Sequence, residues 1–152
     1  MDLFSTKIAR NKLNHNFKTI YTDPKLAPVR AVIQSWGRGL LERSGEQTKF
    51  INEFQTTFNS SMWELYLNEM FIRLGYSVDY TKDSPDFCVS TPLGYKFNVE
   101  AMVSDKPHKP PVSEIFSEAK FKHQSTLKLL GKIKDKRDLF TGINGKKFPY
   151  ST

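Results

Sequence analysis

Residues 46–74 contain neither proline nor glycine, and Gly45 and Gly75 bracket them. Within this stretch Phe50, Phe54 and Phe58 recur every four residues, and Leu65, Leu67, Met70, Phe71 and Leu74 carry the apolar pattern on. A spacing of three to four is the period of an amphipathic helix. Gly75 supplies the stop, and Asn59, Ser60 and Ser61, residue types that favour caps, mark a break within it. The next residues change period. YSVDY (76–80) and DFCVS (86–90) read as short strands, and YKFNVEAMV (95–103) as a longer one. TKDSP (81–85) is a turn. The turn at Pro92 to Gly94 joins the last two strands into an antiparallel hairpin. KPHKPP (106–111) excludes helix interior and central strand. A helical pattern returns from Ser113, a cap, to about Lys136, with Ile115, Phe116, Ala119, Leu127, Leu130 and Ile133 at helical spacing. A turn at Asn144 and Gly145 precedes a last apolar piece, 148–150.

Helix, three strands and helix in that order define an α/β or α+β architecture on a small sheet. Pro24, Pro28, Gly37 and Gly39 break residues 1–45 into short pieces, while Trp36, Leu40 and Leu41 require that they pack. The expected organisation is an N-terminal extension, 1–45, packed on a core, 46–152.

A length of 152 residues suits one domain. The single cysteine, Cys88, excludes an internal disulfide and a multi-cysteine zinc site. Its apolar neighbours suit an inert core thiol. No apolar run reaches the roughly 20 residues of a membrane span, and the N-terminus lacks the apolar core of a signal peptide. These features set the expectation of a cytoplasmic protein. His15, His108 and His123 have no zinc-hydrolase spacing, and neither a phosphate-loop nor a dinucleotide-binding glycine pattern is present. The net charge of +7 lies wholly in residues 106–152, which hold 11 basic and 4 acidic side chains. A one-sided basic segment is the footprint of a polyanion partner; the alternative is a solvated lysine-rich helix.

Three acids stand in apolar surroundings. Glu64, in WELYL, shares a helix face with Leu67, Asn68 and Phe71 (i+3, i+4, i+7). Asp86 follows Pro85 and opens a strand. Glu100 shares a strand face with Asn98 and Met102, while Phe97, Val99, Ala101 and Val103 form the apolar face. Taken singly, these are a boundary glutamate, a turn aspartate and an outer-face glutamate. Taken together, carboxylates converging on one point make an oxygen-rich site suited to Mg²⁺ or Mn²⁺.

WELYL, PDF (85–87) and VEA (99–101), in this order on matching elements, resemble the core of the PD-(D/E)xK nuclease superfamily, the restriction-endonuclease-like fold. The resemblance covers residues 58–133. It implies an α/β core with a small mixed sheet flanked by helices, here truncated at the C-terminus, and a metal-dependent DNA endonuclease leaving 5′-phosphates. Asp86 and Glu100 would hold the metal with help from Glu64. The superfamily's lysine belongs two residues after the glutamate, where this chain has Met102. The resemblance therefore implies a displaced catalytic lysine on the following helix, with Lys132 in LLGKIK as first candidate. Lys120, Lys122, Lys128 and Lys134 would meet the DNA backbone. A shortened sheet would leave an edge open to a second copy, a homodimer. The alternatives are a catalytically degenerate module of the same fold that binds nucleic acid or a partner protein, and a small interaction protein whose acids lie far apart.

Overall fold

The computed structural model describes residues 1–82, 84–103 and 118–141; within the last helix, the side chains of 118–121, 139 and 140 lie outside the description. The chain forms two compact units, Met1–Ala101 and Met102–Thr152.

The first unit holds four helices, α1 (His15–Thr22), α2 (Ala27–Trp36), α3 (Gln47–Thr56) and α4 (Asn59–Arg73), and three strands, β1 (Ser77–Val78), β2 (Phe87–Ser90) and β3 (Lys96–Val99). A single 3₁₀ turn, Leu40–Glu42, links α2 to α3. The long apolar helix expected over 46–74 is thus two helices. The break falls at Thr57 and Phe58, just before the expected cap residues, and Phe58 takes a positive φ of 54° there. Such backbone is costly for a bulky side chain. Burial accompanies it: Phe58 is 6% exposed and its ring lies 5.2 Å from that of Phe54.

The helical side of the core is aromatic. Phe54 meets Phe4 and Phe17 edge-on at 5.6 and 5.7 Å, and Phe4 stacks on Phe17 at 5.9 Å. Leu3, Leu13, Ile33, Leu40 and Leu41 join the same cluster as Leu65, Phe71, Phe87 and Val89. Residues 1–45 thus pack into the same core as residues from 46 onward. Two glutamines fasten the N-terminal segment. Gln34 donates to the Met1 carbonyl and accepts from the Leu3 N–H, both at 2.8 Å. Buried Gln55 donates to the carbonyls of Leu3 and Ser5 at 2.9 and 3.0 Å.

The sheet has the order β1-β2-β3 and is antiparallel throughout, where a mixed sheet was expected. Phe87 pairs with Val99, Val89 with Phe97 and Ser90 with Lys96, as a tight hairpin requires. Phe87 and Val89 face the core, and Phe71 on α4 meets Phe87 and Phe97 at 5.4 and 6.3 Å. β1 is shorter than YSVDY suggested. The Asp79 carboxylate accepts from the Thr81 N–H at 2.9 Å and its hydroxyl at 2.6 Å, which turns the chain away. Those two bonds hold the Asp79 carboxyl below its usual range. β3 ends at Val99, earlier than expected, because the Asp86 carboxylate takes the Ala101 N–H at 2.6 Å in place of a strand carbonyl.

One buried polar node ties helices to sheet. Asn68, fully buried on α4, donates to the carbonyls of Trp36 and Arg38 at 2.8 and 2.9 Å, and accepts from the Tyr80 hydroxyl at 2.8 Å. The Tyr80 ring lies where a Cβ on Gly39 would sit, 2.3 Å away, and Gly39 has a φ of 81°. Burial raises the Tyr80 phenol above its ordinary value, outweighing the Asn68 hydrogen bond and the charges of Arg43 and Arg38. The folded chain thus keeps this proton to higher pH than the unfolded chain. The resulting stability is fully present below about pH 10 and is lost as pH rises through the folded value. Absorbance titration at alkaline pH should show a late phase of tyrosine ionisation that is missing in Tyr80→Phe. Ionisation of all tyrosines together in the folded protein would contradict it.

In the second unit, α5 spans Glu118–Thr141, past the expected end at Lys136. Ser113, the 106–111 loop, the turn at 144–145 and the piece at 148–150 lie outside the described residues. Among the described residues, no helix is long and apolar enough to cross a membrane.

Candidate active site

Glu46, Lys49, Phe50 and Glu53 follow the i, i+3, i+4, i+7 spacing of one helix face. They line a cavity of about 130 Å³ with Leu40, Arg43, Glu64 and Asp86. Four stretches of chain therefore build it: the 3₁₀ turn and its exit, α3 with its cap, α4, and the entry to β2. Four carboxylates face two cations, so the lining is net acidic. Lys49 pairs with Glu46 at 2.8 Å, and this partner raises its ammonium above the ordinary value, with lesser help from the charges of Glu53 and Glu64.

Glu64 sits where the helix reading put it, half-buried beside the stripe of Leu67, Asn68 and Phe71, which is buried. Its neighbour Trp63 is 39% exposed and stacks on Tyr66 at 5.3 Å. Asp86 is placed by both its neighbours and its own side chain. The Arg43 guanidinium donates through Nη2 to the Asp86 carbonyl at 2.5 Å, and the carboxylate accepts from Ala101. Glu100 lies one residue past the last ladder pair. Extending the Phe87–Val99 register by one step sets Asp86 opposite Glu100. The fold thus brings Glu64 and Asp86 to one cavity, while Glu100, just past the end of β3, is not among the residues that line it. Among the described residues, no three His, Cys, Asp or Glu side chains group closely enough to hold a metal ion together.

The basic candidates lie on α5. Lys122, Lys128, Lys132 and Lys134 are exposed, and the side chain of Lys120 lies outside the described residues. Lys132 donates to the Val103 carbonyl within the second unit.

Arg43, Glu46, Lys49 and Glu53 were not among the expected site residues. The last three carried a signal, a charged stripe at helical spacing. Arg43 carried none, since its position depends on the turn before α3. Comparison of the chain with protein-family models, curated proteins and solved structures finds no match.

Proposed function

We propose that the chain is a divalent-metal-dependent nuclease that hydrolyses phosphodiester bonds in DNA, with Glu64, Asp86 and Glu100 as its acidic residues. What supports this reading is the placement of Asp86 on one cavity with Glu64, with Glu100 following directly on β3, the strand that pairs with the one Asp86 precedes. The donor set suits the metal. Mg²⁺ is commonly held by one or two carboxylates, its other positions taken by water and substrate phosphate. Bound there, Mg²⁺ or Mn²⁺ would polarise the phosphoryl oxygen and lower the pKa of the attacking water.

The chain's own residues orient that chemistry. The Ala101 N–H fixes the Asp86 carboxylate, and Arg43 fixes the backbone that carries it. In the reaction, water adds its hydroxyl to phosphorus, the bond to the 3′ oxygen breaks, and that oxygen takes a proton, leaving a 5′-phosphate. Exposed Lys122, Lys128 and Lys134 offer α5 as a phosphate-contacting face in the second unit. Lys132 belongs to that unit as well, and its part in the reaction is tested on its own by Lys132→Ala.

A second reading, a nuclease-fold module that binds nucleic acid without cutting it, is favoured by Met102 at the position where a lysine would serve. The two are separated by Mn²⁺ calorimetry and by assays on linear, circular and single-stranded DNA, with wild type and the double variant Asp86→Asn, Glu100→Gln. The expected result is Mn²⁺ binding and cleavage by the wild type, both lost in the variant. Mn²⁺ binding without cleavage selects the second reading. A wild type that binds no Mn²⁺ refutes the nuclease.

A further inference from the structure

Two cations line the acidic cavity, and they differ in reach. The Arg43 guanidinium is anchored on the Asp86 carbonyl, and its Nε–H is buried. The Lys49 side chain is 63% exposed and donates to the Glu46 carboxylate at 2.8 Å. Lys49 stands three residues after Glu46 and four before Glu53, so its own helix places it between two carboxylates.

A ladder of this kind ordinarily steadies a helix, and helix stability does not account for this one. Lys49 lies in the first turn of α3, where a cation faces the positive end of the helix dipole. What sets it apart is its wall: Glu64 and Asp86, from α4 and the entry to β2, line the same cavity. The hydrogen bond and charge of Glu46 raise its ammonium above the ordinary value, and the charges of Glu53 and Glu64 add to this. Lys49 therefore keeps its proton at neutral pH and serves as a charge, not as a base. A phosphodiester entering a net acidic cavity is repelled unless a cation turns to meet it. An ammonium on a flexible stem can turn, and an exposed ion pair holds it only weakly.

We propose that Lys49 meets a non-bridging phosphate oxygen of the DNA in this cavity, giving up its Glu46 partner to do so. This rests on the nuclease reading and names a substrate-contacting residue for it. The contact moves no proton. It sets a positive charge against the oxygens on which charge builds during hydrolysis. Glu46 then acts as a stand-in anion that occupies the ammonium while the cavity holds no DNA. Lys49 belongs to the same unit as Glu64 and Asp86, whereas Lys132 belongs to the other.

The test uses the full chain and two readouts. Affinity for a phosphorothioate DNA duplex, which resists cleavage, is measured with Mg²⁺ over a range of salt concentrations. Wild type is compared with Lys49→Gln, Lys49→Arg, Glu46→Gln, the double variant of Glu46→Gln with Lys49→Gln, and Lys25→Gln. Lys25 is exposed and lies off the cavity. Cleavage of ordinary DNA and melting temperature are measured alongside. Each lost phosphate contact makes the slope of log affinity against log salt shallower by about 0.9. That change is expected in Lys49→Gln, with recovery in Lys49→Arg and no change in Lys25→Gln. Lys49→Gln should also slow cleavage roughly a hundredfold at an unchanged melting temperature. Glu46→Gln should tighten binding about two- to fivefold, because no carboxylate has to be displaced, and only where Lys49 is present. A Lys49→Gln slope equal to that of wild type overturns the proposal, as does a wild type that binds no DNA. An equal gain from Glu46→Gln without Lys49 overturns the exchange of partners. A lost contact in a protein that cuts no DNA upholds the phosphate contact and removes the nuclease reading. Cleavage with an unchanged slope does the reverse.

Discussion

Replacing Phe54 by alanine is expected to lower the unfolding free energy by about 4 kcal/mol, the middle of the range for a buried phenylalanine. For a chain of this size that is a fall in melting temperature of roughly 10 °C or more. The ring is fully buried and lies within 6 Å of three other aromatic centroids, on Phe4, Phe17 and Phe58. Two of those contacts are edge-on, the geometry that adds about 0.5–1.5 kcal/mol per pair beyond area burial. Alanine would leave a hole walled by residues from three separate stretches of chain, which cannot all collapse into it. Denaturant unfolding measures the loss. Phe97→Ala is the control: that ring is 39% exposed and should cost much less. Equal losses at the two positions would show that the aromatic cluster is not the centre of the core.

Asn68→Ala is the second large effect, about 3 kcal/mol, and it has a different origin. The amide donates twice and accepts once, so its removal strands two carbonyls and a hydroxyl in the interior. Each buried group left unpaired costs about 1–3 kcal/mol, partly relieved where water can enter. Asn68→Asp should be worse, because it replaces the donor with an anion facing two carbonyl oxygens. A double-mutant cycle isolates the network. Tyr80→Phe should destabilise the wild type by about 1 kcal/mol and the Asn68→Ala protein by much less, since the acceptor for its hydroxyl has already gone. Additive losses would mean that Tyr80 and Asn68 act independently.

These two residues mark what the sequence could and could not disclose. Phe54 was legible, because a phenylalanine every four residues leaves one reading for that face. The hairpin was legible from Pro92, Gly94 and the alternation through Phe97 and Val99. Asn68 was visible only as a polar member of an apolar stripe, since its partners are carbonyls 32 and 30 positions upstream and a hydroxyl past the next strand. The short helices over 1–45 were illegible for a related reason. α1 buries only Phe17, and its place depends on Phe4 and Phe54 more than on its own pattern. At the cavity, Glu64 could be placed from helix spacing and Asp86 from strand order. The early end of β3 could not, because it depends on a side chain, Asp86, displacing a backbone acceptor. Arg43 was out of reach because the turn that aims it leaves no periodic trace.

The two glutamine clasps on the N-terminal segment set an order of events during folding. Gln55 holds carbonyls 52 and 50 positions behind it. As the chain is synthesised, the pocket for Leu3 and Phe4 stays incomplete until α3 has been made. Closing a loop of about 50 residues carries a length-dependent entropic cost of about 3.5 kcal/mol. Gln34 and Phe17 offer part of the reward earlier, but the rest of the apolar contact and the bonds to Leu3 and Ser5 wait for Phe54 and Gln55. This segment, made before α3, thus becomes one of the last parts of the core to finish docking, and until then it is exposed to whatever else can bind a short apolar peptide.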